Sequence, residues 1–184
     1  MNNFSFKTRP IGIGPVAHLW DKKINAEFIN SDSSTFLTMH KGQFDFIFIK
    51  QVLHLMPYNE RQVLWVELKK KLAANGNIVV MQMSNDFNIP IFPLMREKLK
   101  KSINLHDEIY VDINKNFKIL SQEKFDFQVS ISRDEYINLV NDRFLSTLFY
   151  FTDEQIKSGS LWIEENYPPQ LNFEDPLDIS ILRK

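Results

Sequence analysis

Two almost uninterrupted apolar runs, FDFIFI (44–49) and NIVVMQM (77–83), leave few folds open to this chain. Apart from Asp45, the first run is apolar on both faces, as expected of a central strand in a parallel sheet, and the second is of the same buried type. Between them, residues 59–73 repeat apolar side chains at helical spacing. This order of strand, helix and strand predicts an α/β fold with helices covering a mostly parallel sheet.

The rest of the chain continues this alternation. Apolar runs predict further strands at residues 10–14, 26–30, 117–120, 124–132 and 177–182, and helical spacing predicts helices over 16–23 and 94–105. A loop is expected over 35–43, and Asn75-Gly76 is expected to end the central helix. Two capping-box patterns, Ser132 with Glu135 and Thr152 with Gln155, predict the starts of two more helices. We therefore expect one domain over 1–184, with a helical insert at about 132–167.

Composition excludes several classes of function. The chain of 184 residues has 22 Lys and Arg against 23 Asp and Glu, so no basic excess indicates nucleic acid. It has no cysteine, which excludes disulfides, thiolate nucleophiles and cysteine-based zinc sites, and its 4 histidines show no metal-ligand spacing. The amino terminus has no apolar signal segment, and no run approaches the ~18 apolar residues of a membrane span. We expect a cytoplasmic protein with neither metal nor membrane.

Several phrases, in their order and spacing, resemble class I S-adenosylmethionine-dependent methyltransferases of the small-molecule, type 11/12-like group. FDFIFIKQVLHLM (44–56) is similar to that family's fourth strand, and LKKKLAANGNIVVMQMS (68–84) to the segment leading into its fifth. AEFINSD (26–32) looks like its third strand with the acid that follows. The resemblance covers the chain from about residue 10 onward. It implies a Rossmann-like sheet whose last strand is antiparallel, and S-adenosylmethionine as cofactor.

The glycine pair in IGIGP (11–15) allows two alignments with this family. In the first, it is a shortened form of the glycine loop that follows the family's first strand. In the second, PIGIGP (10–15) is the family's second strand, which accounts for every later element and is favoured here. The second alignment leaves the chain without the first strand and its glycine loop, and puts Gly14 where the family has its ribose-binding acid.

A missing first strand would leave a gap in the sheet, with unpaired backbone groups on the strands beside it. The segment NFSFK (3–7), a strand from a partner chain, or direct pairing of the flanking strands could fill it. A small-molecule substrate or ligand is the expected partner. If a strand from a partner chain fills the gap, the protein is also an oligomer, either with a copy of itself or with a different protein.

The resemblance also implies the residues of a site, because ligands in such sheets lie beyond the carboxyl ends of the strands. His54 is the candidate general base, since its ordinary pKa suits proton abstraction near neutrality. Asp32 matches the acid that binds the adenine amino group; its alternative role is that of a turn residue. The cofactor-binding candidates are Gly12, Gly14, Asp32, Ser33, Lys50 and Gln51. The candidates for the substrate pocket are Met56, Met83, Phe87, Phe92, Phe144 and Trp162.

Two functions follow from these expectations. The first is a methyltransferase-like protein that acts on a small molecule and is degenerate or incomplete in cofactor binding. The second is a non-catalytic relative that binds a small apolar ligand, or that pairs with and regulates an intact methyltransferase. Under the second, the chain is a pseudoenzyme. A third alternative is that its amino-terminal part is absent through truncation, and that the complete version is an ordinary enzyme.

Overall fold

The computed structural model describes residues 8–14 and 25–184. Residue contacts divide the chain into two compact units. Unit 1 lies within residues 1–45 and 57–76, and unit 2 comprises residues 46–56 and 77–184. The expectation of one domain stays a prediction. The expected strand at 3–7 and the expected helix at 16–23 fall outside the described residues.

Unit 1 contains a pair of short parallel strands and two helices. Strand β1 (Ile11–Gly14) pairs with strand β2 (Glu27–Asn30), so IGIG is extended, as the second alignment requires. Helix α1 (Ser33–Met39) packs against helix α2 (Tyr58–Lys71). The two helices bury apolar side chains from both of their sequences: Phe36, Leu37, Leu64, Trp65 and Leu68.

Helix α1 occupies most of the segment expected to be a loop. Asp32 caps it, because the carboxylate accepts a hydrogen bond of 2.8 Å from the backbone N–H of Thr35. Phe36 and Leu37 then give the short helix a buried side. The expectation of a loop over 35–43 was wrong for residues 35–39, because a single turn of apolar side chains is too short to show helical periodicity.

The larger sheet has four strands in the order β3-β4-β6-β5, with β3 (Phe44–Lys50), β4 (Leu72–Met83), β5 (Lys118–Ser132) and β6 (Gln170–Arg183). Strand β6 is antiparallel to both of its neighbours, so β4 and β5 run in the same direction. The fold is α/β and Rossmann-like, mostly parallel with an antiparallel last strand, as the sequence predicted.

Strand β3 is the outermost strand of this sheet among the described residues, although its sequence predicted a central position. Its only described neighbour is β4, and Phe46 and Phe48 on one of its faces are 53% and 51% exposed. The described strands form two separate sheets, so direct pairing of the strands beside the expected gap is not seen among them.

The sequence predicted that the Asn75-Gly76 pair would end helix α2, and this prediction was wrong. The helix ends at Lys71, and β4 begins at Leu72 and runs through the pair. A Cβ atom added to Gly76 would lie 2.9 Å from the carbonyl oxygen of Phe44. The glycine therefore allows the close approach of two backbone segments rather than a left-handed cap.

Unit 2 adds four helices to the sheet. Helices α3 (Pro93–Ile103) and α4 (Leu105–Asn116) follow β4. Helix α5 (Arg133–Asn141), a 3-10 turn (Ser146–Tyr150) and helix α6 (Asp153–Asn166) lie between β5 and β6. The apolar faces of α3, α5, α6 and the 3-10 turn share one buried cluster, which includes Phe92, Met95, Val140, Leu148 and Ile163. Within the described ranges, none of the helices combines the length and apolar composition that crossing a bilayer requires.

Both capping boxes are confirmed. The hydroxyl of Thr152 accepts a hydrogen bond from the backbone N–H of Gln155, whose side chain accepts one from the backbone N–H of Thr152. We expect Thr152→Ala to lower the free energy of unfolding by about 1 kcal/mol, because one orphan N–H at the start of α6 loses its acceptor. Urea denaturation checks this value. Thr152→Ser keeps the hydroxyl and should stay near wild type; an equal loss in both variants would contradict the capping role.

Candidate functional site

A cleft of about 230 Å³ lies in unit 2, at the carboxyl ends of strands β3 and β4. Lys50 is the last residue of β3, and Met83 is the last residue of β4; both line the cleft. Helices α3 and α4 and the segment before α6 supply the other walls. The remaining lining residues are Gln51, His54, Leu99, Ser102, Ile103, His106, Phe144, Leu145, Ser146 and Thr147.

Gln51 has an unusual backbone conformation at the edge of this cleft. Its φ angle is 50°, in the left-handed region that residues other than glycine seldom adopt. Its N–H donates a hydrogen bond of 2.8 Å to the carbonyl oxygen of Met81, which ties the bend after β3 to the neighbouring strand. Strained backbone of this kind is concentrated at ligand sites, where it aims a side chain that an ordinary turn would direct elsewhere.

Two histidines face each other in the cleft. The ring of His54 lies 6.1 Å from that of His106, centroid to centroid, and His106 is only 4% exposed. Burial, together with the neighbouring His106, lowers the pKa of His54. Burial also lowers the pKa of His106, against the opposing effects of Asp107 and of a hydrogen bond to the backbone of Met83. At neutral pH both rings are therefore uncharged, and each retains a nitrogen lone pair.

These lowered pKa values make stability depend on pH. Above about pH 6.5, the ordinary histidine value, both rings are neutral in the folded and unfolded chains. Below it, the unfolded chain binds protons first, so the free energy of unfolding should fall until the folded-state pKa values are reached. The slope is at most about 1.4 kcal/mol per pH unit for each histidine.

Urea denaturation between pH 8 and pH 5 measures this slope. The double variant His54→Gln, His106→Asn should show a smaller loss below pH 6.5, and the same dependence as wild type between pH 7.5 and pH 8. Identical curves over the whole range would contradict the buried, neutral state of the two rings.

Arg143 holds the wall of the cleft that contains Ser146 and Thr147. Its guanidinium donates hydrogen bonds to the carbonyl oxygens of Leu148 and Phe151, the second at 2.9 Å. It also donates to the Asp153 carboxylate at 2.8 Å. Because these acceptors lie within and just beyond the 3-10 turn, the side chain of Arg143 fixes the backbone of this wall.

Lys50 is the one lysine or arginine among the lining residues of the cleft, and it acts electrostatically on Asp175 of β6. Burial raises the pKa of Asp175, while the ammonium of Lys50 opposes that rise. The side chain of Lys50 is exposed, whereas Met83 and Leu99 are buried. The cleft thus combines a charged, solvent-exposed edge with an apolar interior.

The structure brings together five of the residues predicted for the site: Lys50, Gln51, His54, Met83 and Phe144 line the cleft. Other candidates for the substrate pocket lie elsewhere in unit 2. Phe92 is a core residue, 1% exposed, and Phe87 and Trp162 pack against the same core. Met56 is half-buried after the 3-10 turn Leu53–Leu55 and does not line the cleft.

The cofactor candidates of unit 1 have structural roles. Gly12 and Gly14 are extended residues of β1, and no described glycine has a positive φ angle. A glycine turn that lets backbone approach a ligand is therefore not formed within residues 8–14 and 25–184. The carboxylate of Asp32 caps α1, whose first residue is Ser33, and the hydrogen bond from Thr35 lowers its pKa. These residues do not fit the cofactor contacts that the resemblance implies.

Sequence reasoning missed His106 on helix α4. Helix α4 was not predicted, although Ile109 and Ile113 recur at helical spacing and are both buried. That spacing was the available signal for a helix. Nothing in the sequence indicated that this helix would direct His106 toward His54.

Three solved structures share this architecture at low sequence identity. The match to an inferred methyltransferase of Bacillus halodurans C-125 covers 96% of this chain and 83% of that protein, with a TM-score of 0.51 and 9% identity. The match to an inferred type II methyltransferase of Anaeromyxobacter dehalogenans covers 95% of this chain and 79% of that protein, with a TM-score of 0.52 and 10% identity. The match to a SAM-dependent methyltransferase of Anabaena variabilis covers 95% of this chain and 68% of that protein, with a TM-score of 0.50 and 14% identity.

The chain therefore has the fold of class I S-adenosylmethionine-dependent methyltransferases, as its sequence suggested. No family model matches the sequence, and no curated protein matches it.

Proposed function

We propose that this protein is a methyltransferase-like protein that binds a small molecule in the cleft of unit 2 and is degenerate in cofactor binding. The observation that carries the proposal is the cleft itself, formed where β3 and β4 end, which is where α/β sheets bind their ligands. Its mixture of apolar walls with a few polar groups is typical of small-molecule sites. The extended glycines of β1 and the capping role of Asp32 favour the part of the proposal that says cofactor binding is weak.

Methionine-methyl NMR tests the binding of a small molecule. Met83 lines the cleft, while Met39 on α1 is 75% exposed and belongs to unit 1, so the two methyl signals give a site probe and a matched control. Met83→Leu assigns the site signal. A panel of compact aromatic acids, amides and alcohols should shift the Met83 signal and leave that of Met39 unchanged. If no compound shifts the Met83 signal, the proposed function is wrong.

A second candidate function is S-adenosylmethionine-dependent methylation of the bound molecule. The observation in its favour is His54, whose lowered pKa keeps the ring unprotonated at neutral pH within the cleft. Such a ring can accept a proton from a hydroxyl or amine group of a bound molecule. Micromolar binding of S-adenosylmethionine would favour this second function over the first.

A further inference from the structure

The charge of the cleft indicates what kind of small molecule it takes. Lys50 is the one lysine or arginine among the lining residues of this cleft, and no aspartate or glutamate is among them. The two facing histidines are neutral there, because burial lowers their pKa values. Asp175, the carboxylate whose pKa Lys50 influences, is not a lining residue. The described walls therefore present a single positive charge to a ligand.

The charge lies at the mouth, and the interior is apolar. The side chain of Lys50 is exposed, while Met83, Leu99 and Ile103 are 8%, 6% and 6% exposed. Phe144 adds an aromatic face that remains 43% exposed. A molecule that fills the interior with an apolar body would hold an anionic group near the ammonium, where the pair stays partly solvated and needs little desolvation.

The volume also limits the ligand. About 230 Å³ is smaller than the ~300–1,000 Å³ pockets that enclose drug-sized ligands. A single ring system with one short substituent is the size of molecule that such a cleft can enclose.

We propose that the cleft selects compact monoanions with an apolar body, such as aromatic carboxylates, through Lys50 at its mouth and the apolar side chains inside. This inference rests on the proposed function, because it names the class of molecule that the same cleft would bind. Hydroxyl groups on Ser146 and Thr147 supply further polar contacts for the ligand within the wall.

The matched probes 2-naphthoate and 2-naphthamide test this selectivity, since they share a ring system and differ in charge. Affinities are measured from the Met83 methyl signal, with that of Met39 as control. Wild type should bind naphthoate about tenfold more tightly than naphthamide, and added NaCl should reduce this preference. Lys50→Gln should bring the ratio close to one, and Lys50→Arg should retain the preference.

The possible failures are distinguishable. If neither probe nor any compound of the panel shifts the Met83 signal, the proposed function and this inference both fail. If a panel compound shifts it and neither probe does, the inference alone fails. If both probes bind with equal affinity, or naphthamide binds more tightly, the small-molecule function stands and the anion selectivity is overturned. A preference for naphthoate that persists unchanged in Lys50→Gln would also overturn the assignment to Lys50.

Discussion

Replacing Gly159 by alanine should lower the free energy of unfolding by about 1–3 kcal/mol, the usual cost of overpacking a core. Gly159 is buried in the middle of α6, against the ring of Phe92. A Cβ atom added there would lie 2.5 Å from Cδ1 and 2.6 Å from Cε1 of that ring. The ring has little room to move, because it is 1% exposed and packs edge-on against Phe151. The gain in helix propensity, about 1 kcal/mol, opposes the clash and is expected to lose.

Urea denaturation of four variants isolates this contact. Ser158→Ala, at the exposed neighbouring position of the same helix, should change stability by less than about 0.5 kcal/mol. Phe92→Ala removes the ring and should itself cost about 3–5 kcal/mol. In that background, Gly159→Ala should be neutral or stabilising, so the double-mutant cycle gives a coupling of at least about 1 kcal/mol. A stabilising Gly159→Ala in the wild-type background would contradict the close approach.

Replacing Arg143 by methionine should cost about 2–3 kcal/mol of stability, because hydrogen bonds from a charged donor to Leu148, Phe151 and Asp153 are lost together. The loss should also make the wall of the cleft more mobile, because Leu148 lies in the 3-10 turn that forms the wall and Phe151 follows that turn directly. Urea denaturation measures the first effect. Hydrogen exchange at the amides of Ser146–Tyr150 measures the second, and should become faster.

Two further variants test how Arg143 acts. Arg143→Lys should not restore wild-type stability, because one ammonium cannot span three acceptors as the planar guanidinium does. Asp153→Asn removes only the ion pair with a carboxylate side chain that is 95% exposed, and should cost less than about 1 kcal/mol. Full rescue by lysine, or a loss in Asp153→Asn equal to that of Arg143→Met, would contradict the role of the two carbonyl contacts.

The alternation of strands and helices could be predicted because it depends on local patterns. The runs FDFIFI and NIVVMQM form adjacent strands, and both capping boxes begin helices, because each signal lies within a few residues of the element it determines. The resemblance then supplied the antiparallel direction of the last strand. The structure and the three related folds confirm that prediction of the fold.

The misses in the fold depend on packing between distant segments. A seven-residue helix such as α1 needs only a cap and two buried side chains, which a search for periodicity over longer windows overlooks. The exposed face of β3 depends on which strands pair with it, and an apolar sequence predicts burial there whether or not a neighbour exists. The reason for a glycine at position 159 is likewise apparent only from its contact with the ring of Phe92.

The site could be predicted at the strand ends and at Phe144 of the helical insert, and not on the side formed by helices α3 and α4. Lys50, Gln51, His54 and Met83 follow from the rule that ligands lie beyond the carboxyl ends of strands. The pairing of His106 with His54 requires knowing how α4 packs. Arg143 fixes its wall through hydrogen bonds to main-chain carbonyl oxygens. Because every residue type has such a carbonyl, the sequence does not indicate these contacts.

Calorimetric titration of the purified protein with S-adenosylmethionine and S-adenosylhomocysteine tests the central claim, that this chain keeps the methyltransferase fold but is degenerate in cofactor binding. Glycines that lie in an extended strand, and an acid that caps a helix, predict no measurable binding of either compound up to millimolar concentration. Micromolar binding of either compound would contradict the account, and would make this protein a cofactor-binding methyltransferase with a differently built site.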